Sequence, residues 1–255
     1  MQQHRRQGCI VVTGASRGIG AAIAVALAEA GFHVGCLSRS GDPPARADAT
    51  PQTRGRWLSA ACDITQPDSV RRAFDAIAAA APVPLIGLVN NAGVHTQAPS
   101  ATLAMADYQH VMATNAGSVL STSQIAYPHL RRGSNETPAL IVNMGSFFDK
   151  LGVKRNLAYC ASKAAVAAMT RCLAVEWAGD GIRVMNLAPG YVTTDLNRDA
   201  LGSGPLRDFL ARRIPTGGPG TADDVARLVA LLFAEPQPYL TGATLYLDGG
   251  HGMAL

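Results

Sequence analysis

The run Tyr159-Cys160-Ala161-Ser162-Lys163 holds a phenol and an ammonium four positions apart. On a helix that spacing puts both on one face, so they can point into the same cleft. A free tyrosine titrates at about 10, too high for an efficient base near neutrality. A neighbouring ammonium stabilises phenolate and lowers that value, which lets Tyr159 exchange a proton with a substrate oxygen. Thirteen positions upstream, Asn143-Met144-Gly145-Ser146 closes an apolar strand-like run. The Ser146 hydroxyl can hold the same oxygen as charge develops on it. Taken alone, the Tyr–Lys pair also fits an ordinary amphipathic helix surface, so its meaning depends on what surrounds it.

A second set of residues suits a dinucleotide. Cys9-Ile10-Val11-Val12-Thr13 reads as a β-branched strand running into Gly14-Ala15-Ser16-Arg17-Gly18-Ile19-Gly20, and residues 21–30 read as a helix closed by Gly31. Such a turn offers backbone N–H groups and a positive helix end to a pyrophosphate. A tight strand-to-helix connection without ligand is the alternative. The second strand, His33–Ser38, ends Leu37-Ser38-Arg39-Ser40, with no acid to accept from ribose hydroxyls. Arg39, with Arg17 in the turn, has instead the donor fork that suits a ribose 2′-phosphate. NADP(H) is therefore expected over NAD(H), against the alternative of two solvated loop arginines. Asp63-Ile64, after the third strand, either brackets the adenine or begins the turn into the next helix. Asn90-Asn91-Ala92-Gly93 closes the fourth, where glycine permits close approach of a ligand and Asn can tie strands together.

The elements that must position these residues alternate along the chain. Strands are expected at 57–61, 85–90, 139–144, 183–188 and 244–247, and helices at 67–81, 105–130, 159–178 and 222–233. Strands separated by helices predict an α/β fold with a doubly wound parallel sheet. The strands are nearly continuous apolar runs, as expected when both faces are covered. Ligands then bind at the carboxyl ends of the strands. A chain of 255 residues accommodates this as a single domain, 1–255. Two stretches are softer, 40–55 and 190–220, and the second is long enough to be a lid or binding loop.

Composition removes other classes. Apolar residues are 48% and charged residues 16%, which argues against disorder. Mean hydropathy is +0.11, yet no apolar run reaches bilayer length and no signal-peptide layout is visible. The net charge of +4 is carried by scattered arginines, not by a nucleic-acid-binding tract. Five cysteines at 9, 36, 62, 160 and 172 have neither CxxC spacing nor secreted density, and six histidines form no ligand-spaced cluster. No metal, no nucleic acid and no membrane partner is expected, and a reduced cytoplasmic setting fits.

Together the motifs resemble the short-chain dehydrogenases/reductases, in their standard branch of about 250 residues. The resemblance spans residues 9–250: TGASRGIG at 13–20, NNAG at 90–93, Asn115 in a helix, Ser146, YCASK at 159–163, and Pro189-Gly190 followed by Val192 and Thr194. It implies a Rossmann-type sheet of about seven strands and hydride transfer between nicotinamide and a carbonyl or alcohol carbon. It also implies Tyr159 as general acid/base and Ser146 as the donor that polarises the carbonyl. Lys163 would lower the Tyr159 value and hold the nicotinamide ribose, and Asn115 would hold a water linking Lys163 to solvent. Thr194 would contact the carboxamide. The residues implied for the cofactor are Gly14, Ser16, Arg17, Gly18, Ile19, Gly20, Ser38, Arg39, Asp63, Ile64, Asn91, Ala92, Gly93, Tyr159, Lys163, Pro189, Gly190, Val192 and Thr194.

Substrate contacts are expected from two loops, 147–157 and 191–216. Phe147, Phe148 and Tyr191 offer apolar surface; Lys150, Lys154, Arg155 and Asn156 offer polar contacts unless they are simply solvated. A small ketone or hydroxy compound is the preferred substrate. The alternatives are 3-oxoacyl-carrier-protein reduction and gluconate-type sugar-acid oxidation. The first is weakened by Val175, where those reductases usually carry Arg. A non-enzymatic NADP-binding regulator is disfavoured because Asn115, Ser146, Tyr159 and Lys163 are all present. The resemblance further implies a homotetramer, or a dimer, packed through small-residue faces (Ala113, Ala116, Gly117; Ala164, Ala165, Ala168).

Overall fold

Strand β1 (Cys9–Thr13) is buried along its whole length and lies between β2 (His33–Ser38) and β4 (Leu85–Asn90). The computed structural model describes residues 7–132, 137–195 and 203–253. Around β1 stand β3 (Trp57–Ala61), β5 (Ala139–Met144), β6 (Ile182–Pro189) and β9 (Thr244–Leu247), giving a seven-stranded sheet ordered β3-β2-β1-β4-β5-β6-β9. Every pairing in it is parallel. The winding direction reverses between β1 and β4, which opens a crevice at their carboxyl ends.

Helices cover both faces, as the unbroken apolar strands require. On one face α1 (Gly18–Glu29) and α8 (Ala222–Ala234) bury Ile23, Leu27, Val229 and Phe233 against Val12, Leu140 and Met185. Gly87 makes room there, since a Cβ would lie 2.2 Å from the Phe233 ring. On the other, α3 (Pro67–Ala80), α5 (Ser118–Leu130) and α6 (Leu157–Trp177) bury Phe74, Ile77, Leu130 and Leu173 against Val11, Leu88 and Ile141.

A polar row crosses this apolar interior. Asn90 Nδ2 donates to Ser123 Oγ at 3.0 Å and to Asn143 Oδ1 at 2.9 Å. Asn143 Nδ2 donates to Thr170 Oγ1 on α6 at 2.9 Å. Buried amides must be satisfied or they cost stability, so this pairing holds β4, β5 and α6 at one depth. The expected strand-tying role of asparagine is met at Asn90.

Three differences from the sequence expectation concern the connections. The helix expected over 105–130 is one helical run in which a π turn at Ala113–Gly117 joins α4 (Met105–Met112) to α5. The β2–β3 connection contains one helical turn, α2 (Pro51–Arg54), capped by Thr50. Helix α7 (Pro205–Arg213) lies in the stretch read as loop, and β7 (Val192–Thr193) pairs with β8 (Gly220–Thr221). Among the described residues no helix is long and apolar enough to cross a membrane, and no His/Cys/Asp/Glu group could hold a metal.

Candidate active site

The Gly-rich turn is shaped by contacts that exclude side chains. Gly14 has φ +67 and Gly18 φ +57, in the region where glycine alone is unstrained. A Cβ on Gly20 would sit 2.2 Å from the Gly14 carbonyl oxygen, and one on Gly14 3.0 Å from Ala92 Cα. Asn91 clamps the turn: its Nδ2 donates to Thr13 O at 3.0 Å, and the N–H groups of Asn91 and Ala92 donate to Thr13 Oγ1. Gly18 is different. A Cβ there would meet only Thr194, at 3.9 Å, because Gly18 opens onto a cavity of about 690 Å³ that Thr193, Thr194 and Thr221 also line. Of the residues expected at the cofactor, Gly18 and Thr194 line this cavity, so it can take the part of a dinucleotide that crosses the Gly-rich turn.

The remaining residues expected at the cofactor divide. Arg17 is the N-cap of α1, and its side chain is exposed, as is that of Arg39 beyond β2. Ser38 Oγ accepts from Gly41 N. Asp63 Oδ1 accepts from Thr65 N and Thr65 Oγ1. Those bonds, with the Arg39 charge adding, hold its carboxyl below the usual range. Asp63 therefore begins the turn, and its charge lies beside Arg39. Ile19 and Ile64 pack at the edges of the two cores. Val192 is buried in the first, leaving only its backbone to meet a ligand. Pro189 ends β6, and a Cβ on Gly190 would lie 2.7 Å from Asp248 Cα.

Four side chains meet at the carboxyl ends of β4 and β5. Ser146 follows β5 after Gly145, and its Oγ accepts from Phe148 N at 3.2 Å. Helix α6 puts Tyr159 in its first turn and Lys163 one turn on. Asn115 lies in the π turn, a distortion often found at functional positions. Its Oδ1 accepts from Val94 N at 2.8 Å, and its Nδ2 donates to Val94 O at 2.9 Å and Ser162 Oγ at 3.1 Å. Gly93 lies close beside them, since a Cβ there would lie 3.1 Å from Asn115 Oδ1 and 3.9 Å from Lys163 Nζ.

The electrostatics differ from the expectation in one respect. Lys163 Nζ donates to Met144 O at 2.7 Å and stands 5.6 Å from the Tyr159 ring centroid. Burial pushes Lys163 down to about 8. Burial also raises the Tyr159 phenol, with a Ser146 hydrogen bond pulling the other way. Loss of hydration thus outweighs the Ser146 hydrogen bond, and the ammonium is turned toward a carbonyl.

Two histidines not singled out from sequence, His95 and His251, join expected loop residues on the other side. The His95 ring lies 4.7 Å from that of Tyr159, and His95 Nε2 is 2.5 Å from Asn156 Oδ1. Phe147, Phe148, Tyr191 and His251 form a wall with neighbouring ring centroids 4.7–6.2 Å apart. His95 was within reach of sequence reading, two positions past Gly93; His251, after β9, carried no signal. Lys150 Nζ sits 3.7 Å over the Tyr246 ring, not in open solvent. In the second expected loop, Tyr191 packs on Leu210 and Ile214, and residues 196–202 lie outside the described residues.

Comparison with known proteins agrees with this geometry. The family model described as Enoyl-(Acyl carrier protein) reductase matches residues 14–252. The D-threitol dehydrogenase of Mycolicibacterium smegmatis is 36% identical over 243 residues, covering 94% of this chain and 91% of that protein. The gluconate 5-dehydrogenase of Gluconobacter oxydans is 30% identical over 251 residues, covering 96% and 94%. The crystal structure of a gluconate 5-dehydrogenase from Burkholderia cenocepacia in complex with NADP and tartrate superposes with a TM-score of 0.88 at 30% identity, covering 98% of each chain. With likeness running through the turn, the catalytic helix and the sheet, the chain belongs to the short-chain dehydrogenase/reductase family and is an NAD(P)-dependent oxidoreductase.

Proposed function

We propose that the chain interconverts a small ketone and its alcohol with NADP(H) as the preferred cofactor and Tyr159 as general acid/base. The observation that carries this reading is the meeting of Ser146, Tyr159 and Lys163 beside Gly93, next to the Gly-rich turn. The backbone of Gly14, Ser16, Gly18, Ile19 and Gly20 would cradle the pyrophosphate, Lys163 the nicotinamide ribose and Thr194 the carboxamide. Bound NADP(H) supplies or accepts the hydride. Ser146 holds the substrate oxygen, and Tyr159 gives it a proton as negative charge builds there. Burial keeps Tyr159 protonated near neutrality, so the acid form needed for reduction is in place. Oxidation needs phenolate and quickens as pH rises. Asn115 joins Lys163 to solvent through water and completes the proton path.

Arg17 and Arg39 support the cofactor preference, as does the NADP in the Burkholderia relative. Hydrogen bonds to charged groups contribute about 1.5–3 kcal/mol. Arg39→Asp is therefore expected to lower kcat/KM with NADPH about 10- to 100-fold and to spare NADH. Equal losses with both cofactors would remove Arg39 from the 2′-phosphate.

Polyol and sugar-acid relatives support a small hydroxy compound, met by loops 147–157 and 191–216. A second reading is reduction of a 3-oxoacyl carrier thioester; the matching family's description shares with it only the acyl carrier, since the reaction it names is enoyl reduction. Against it, Val175 is 82% exposed and offers a carrier no charge. A panel of diketones, 3-oxoacyl thioesters and keto-sugar acids, followed by NADPH consumption, separates these. Failure across the panel with intact cofactor binding would favour a non-enzymatic regulator.

The reading includes a cytoplasmic homotetramer. Five free cysteines support a reducing setting. Of the small-residue faces expected to pack, Ala113, Gly117 and Ala164 are exposed and Ala165 and Ala168 half-buried, whereas Ala116 is buried and cannot take part; exposed Leu120 and Val175 beside them support packing through helices α5 and α6. Light scattering after size exclusion tests the assembly.

A further inference from the structure

Residues 40–55 join β2 to β3 with a single helical turn and fold back over the Gly-rich turn, where Ala45 N donates to Ser16 O at 2.8 Å. The segment is braced from within: Arg54 Nε donates to Ala49 O at 3.1 Å and Arg54 Nη2 to Arg46 O at 2.8 Å. Arg46 then makes three bonds to carboxylates. Its Nε and Nη2 reach both oxygens of Asp48 at 2.8 and 2.6 Å, and its Nη1 reaches Asp223 Oδ1 at 2.8 Å. Asp223 lies in the first turn of α8, 177 positions away. Arg46, Asp48 and Asp223 all line the cavity that Gly18 and Thr194 line. The ion bridge therefore joins two walls of one cavity.

We propose that the Arg46–Asp223 bridge is a clasp on the dinucleotide cavity, holding residues 44–49 against the first turn of α8 and slowing release of the cofactor. The proposal rests on reading that cavity as the cofactor site. All three guanidinium nitrogens donate to carboxylates, which makes Arg46 a tie between segments. The forked contact with Asp48 aims the remaining nitrogen at Asp223. Isolated exposed pairs contribute little, but a braced, bidentate network holds its geometry at less entropic cost. Simple salt screens such a bridge, so release is salt-sensitive.

The test is stopped-flow release of NADPH into excess NADP⁺, followed by nicotinamide fluorescence, for wild type, Asp223→Asn, Arg46→Met and the double variant. Each single variant is expected to raise koff about two- to fivefold, with the double no faster than either single. Salt should quicken release from wild type and have less effect on Asp223→Asn. Thermal unfolding of each variant controls for loss of fold. Unchanged koff in both singles overturns the clasp. So does faster release from Arg46→Met alone, which would make Arg46 a phosphate ligand. Absence of NADPH binding by wild type overturns the cavity assignment and the clasp with it, whereas binding with unaltered release overturns the clasp alone.

Discussion

Tyr159→Phe is expected to abolish nearly all turnover while leaving NADPH binding intact. The substitution removes one hydroxyl and keeps the ring, which stays packed edge-on against His95 at 4.7 Å and Phe148 at 6.0 Å. The Ser146 hydroxyl remains to hold the substrate oxygen, but no group delivers the proton. General acid–base catalysis contributes about 10²–10⁴-fold, so a loss of about 10³-fold in kcat is expected. Fluorescence titration should give the wild-type Kd for NADPH. Turnover within tenfold of wild type would take the proton-transfer role from Tyr159.

Lys163→Met is expected to yield an inactive protein that is more stable than wild type at neutral pH. The buried ammonium titrates at about 8 instead of its ordinary 10.5, chiefly because burial removes its hydration. Between those values the unfolded chain binds a proton that the folded chain does not. Wild-type stability therefore rises as pH climbs through this window, and below pH 8 the full penalty is carried, on the order of 3 kcal/mol. Losing the bond to Met144 O gives back about 1 kcal/mol. The net gain of about 2 kcal/mol corresponds to roughly 4–8 °C in Tm for a domain of this size. Thermal unfolding without added nucleotide, at pH 7 and at pH 10, measures it. The advantage should shrink as pH rises from 8 to 10.5. A less stable variant at pH 7, or a gap indifferent to pH, would contradict the account. A stabilising change that destroys activity is what a strained functional group produces.

The large motifs were legible because they are local. Thr13-Gly14 ending a β-branched run, glycines opening a helix, and Tyr159 four positions before Lys163 each depend on one backbone element and its period. Even the sheet followed from alternation, since parallel strands need helical crossovers. Boundaries moved by a residue or two where helix ends fray. The π turn at Ala113–Gly117 was not legible, because it carries Asn115 to a bond with Val94, on another segment.

What the sequence by itself determined was the fold and which residues stand at the motif positions; the proposed phosphate preference rests on Arg39 without an acid beside it. Tertiary structure alone decided how those residues behave. Lys163 is turned to Met144 O and depressed by burial, and Asn143 reaches Thr170 to set the depth of the catalytic helix. His95 and His251 come to the site from segments with no periodic signal. Arg46 meets Asp223 across 177 positions. The physical reason is common to all four: hydration, burial and ion pairing depend on what lies nearby in space, and these neighbours are distant along the chain.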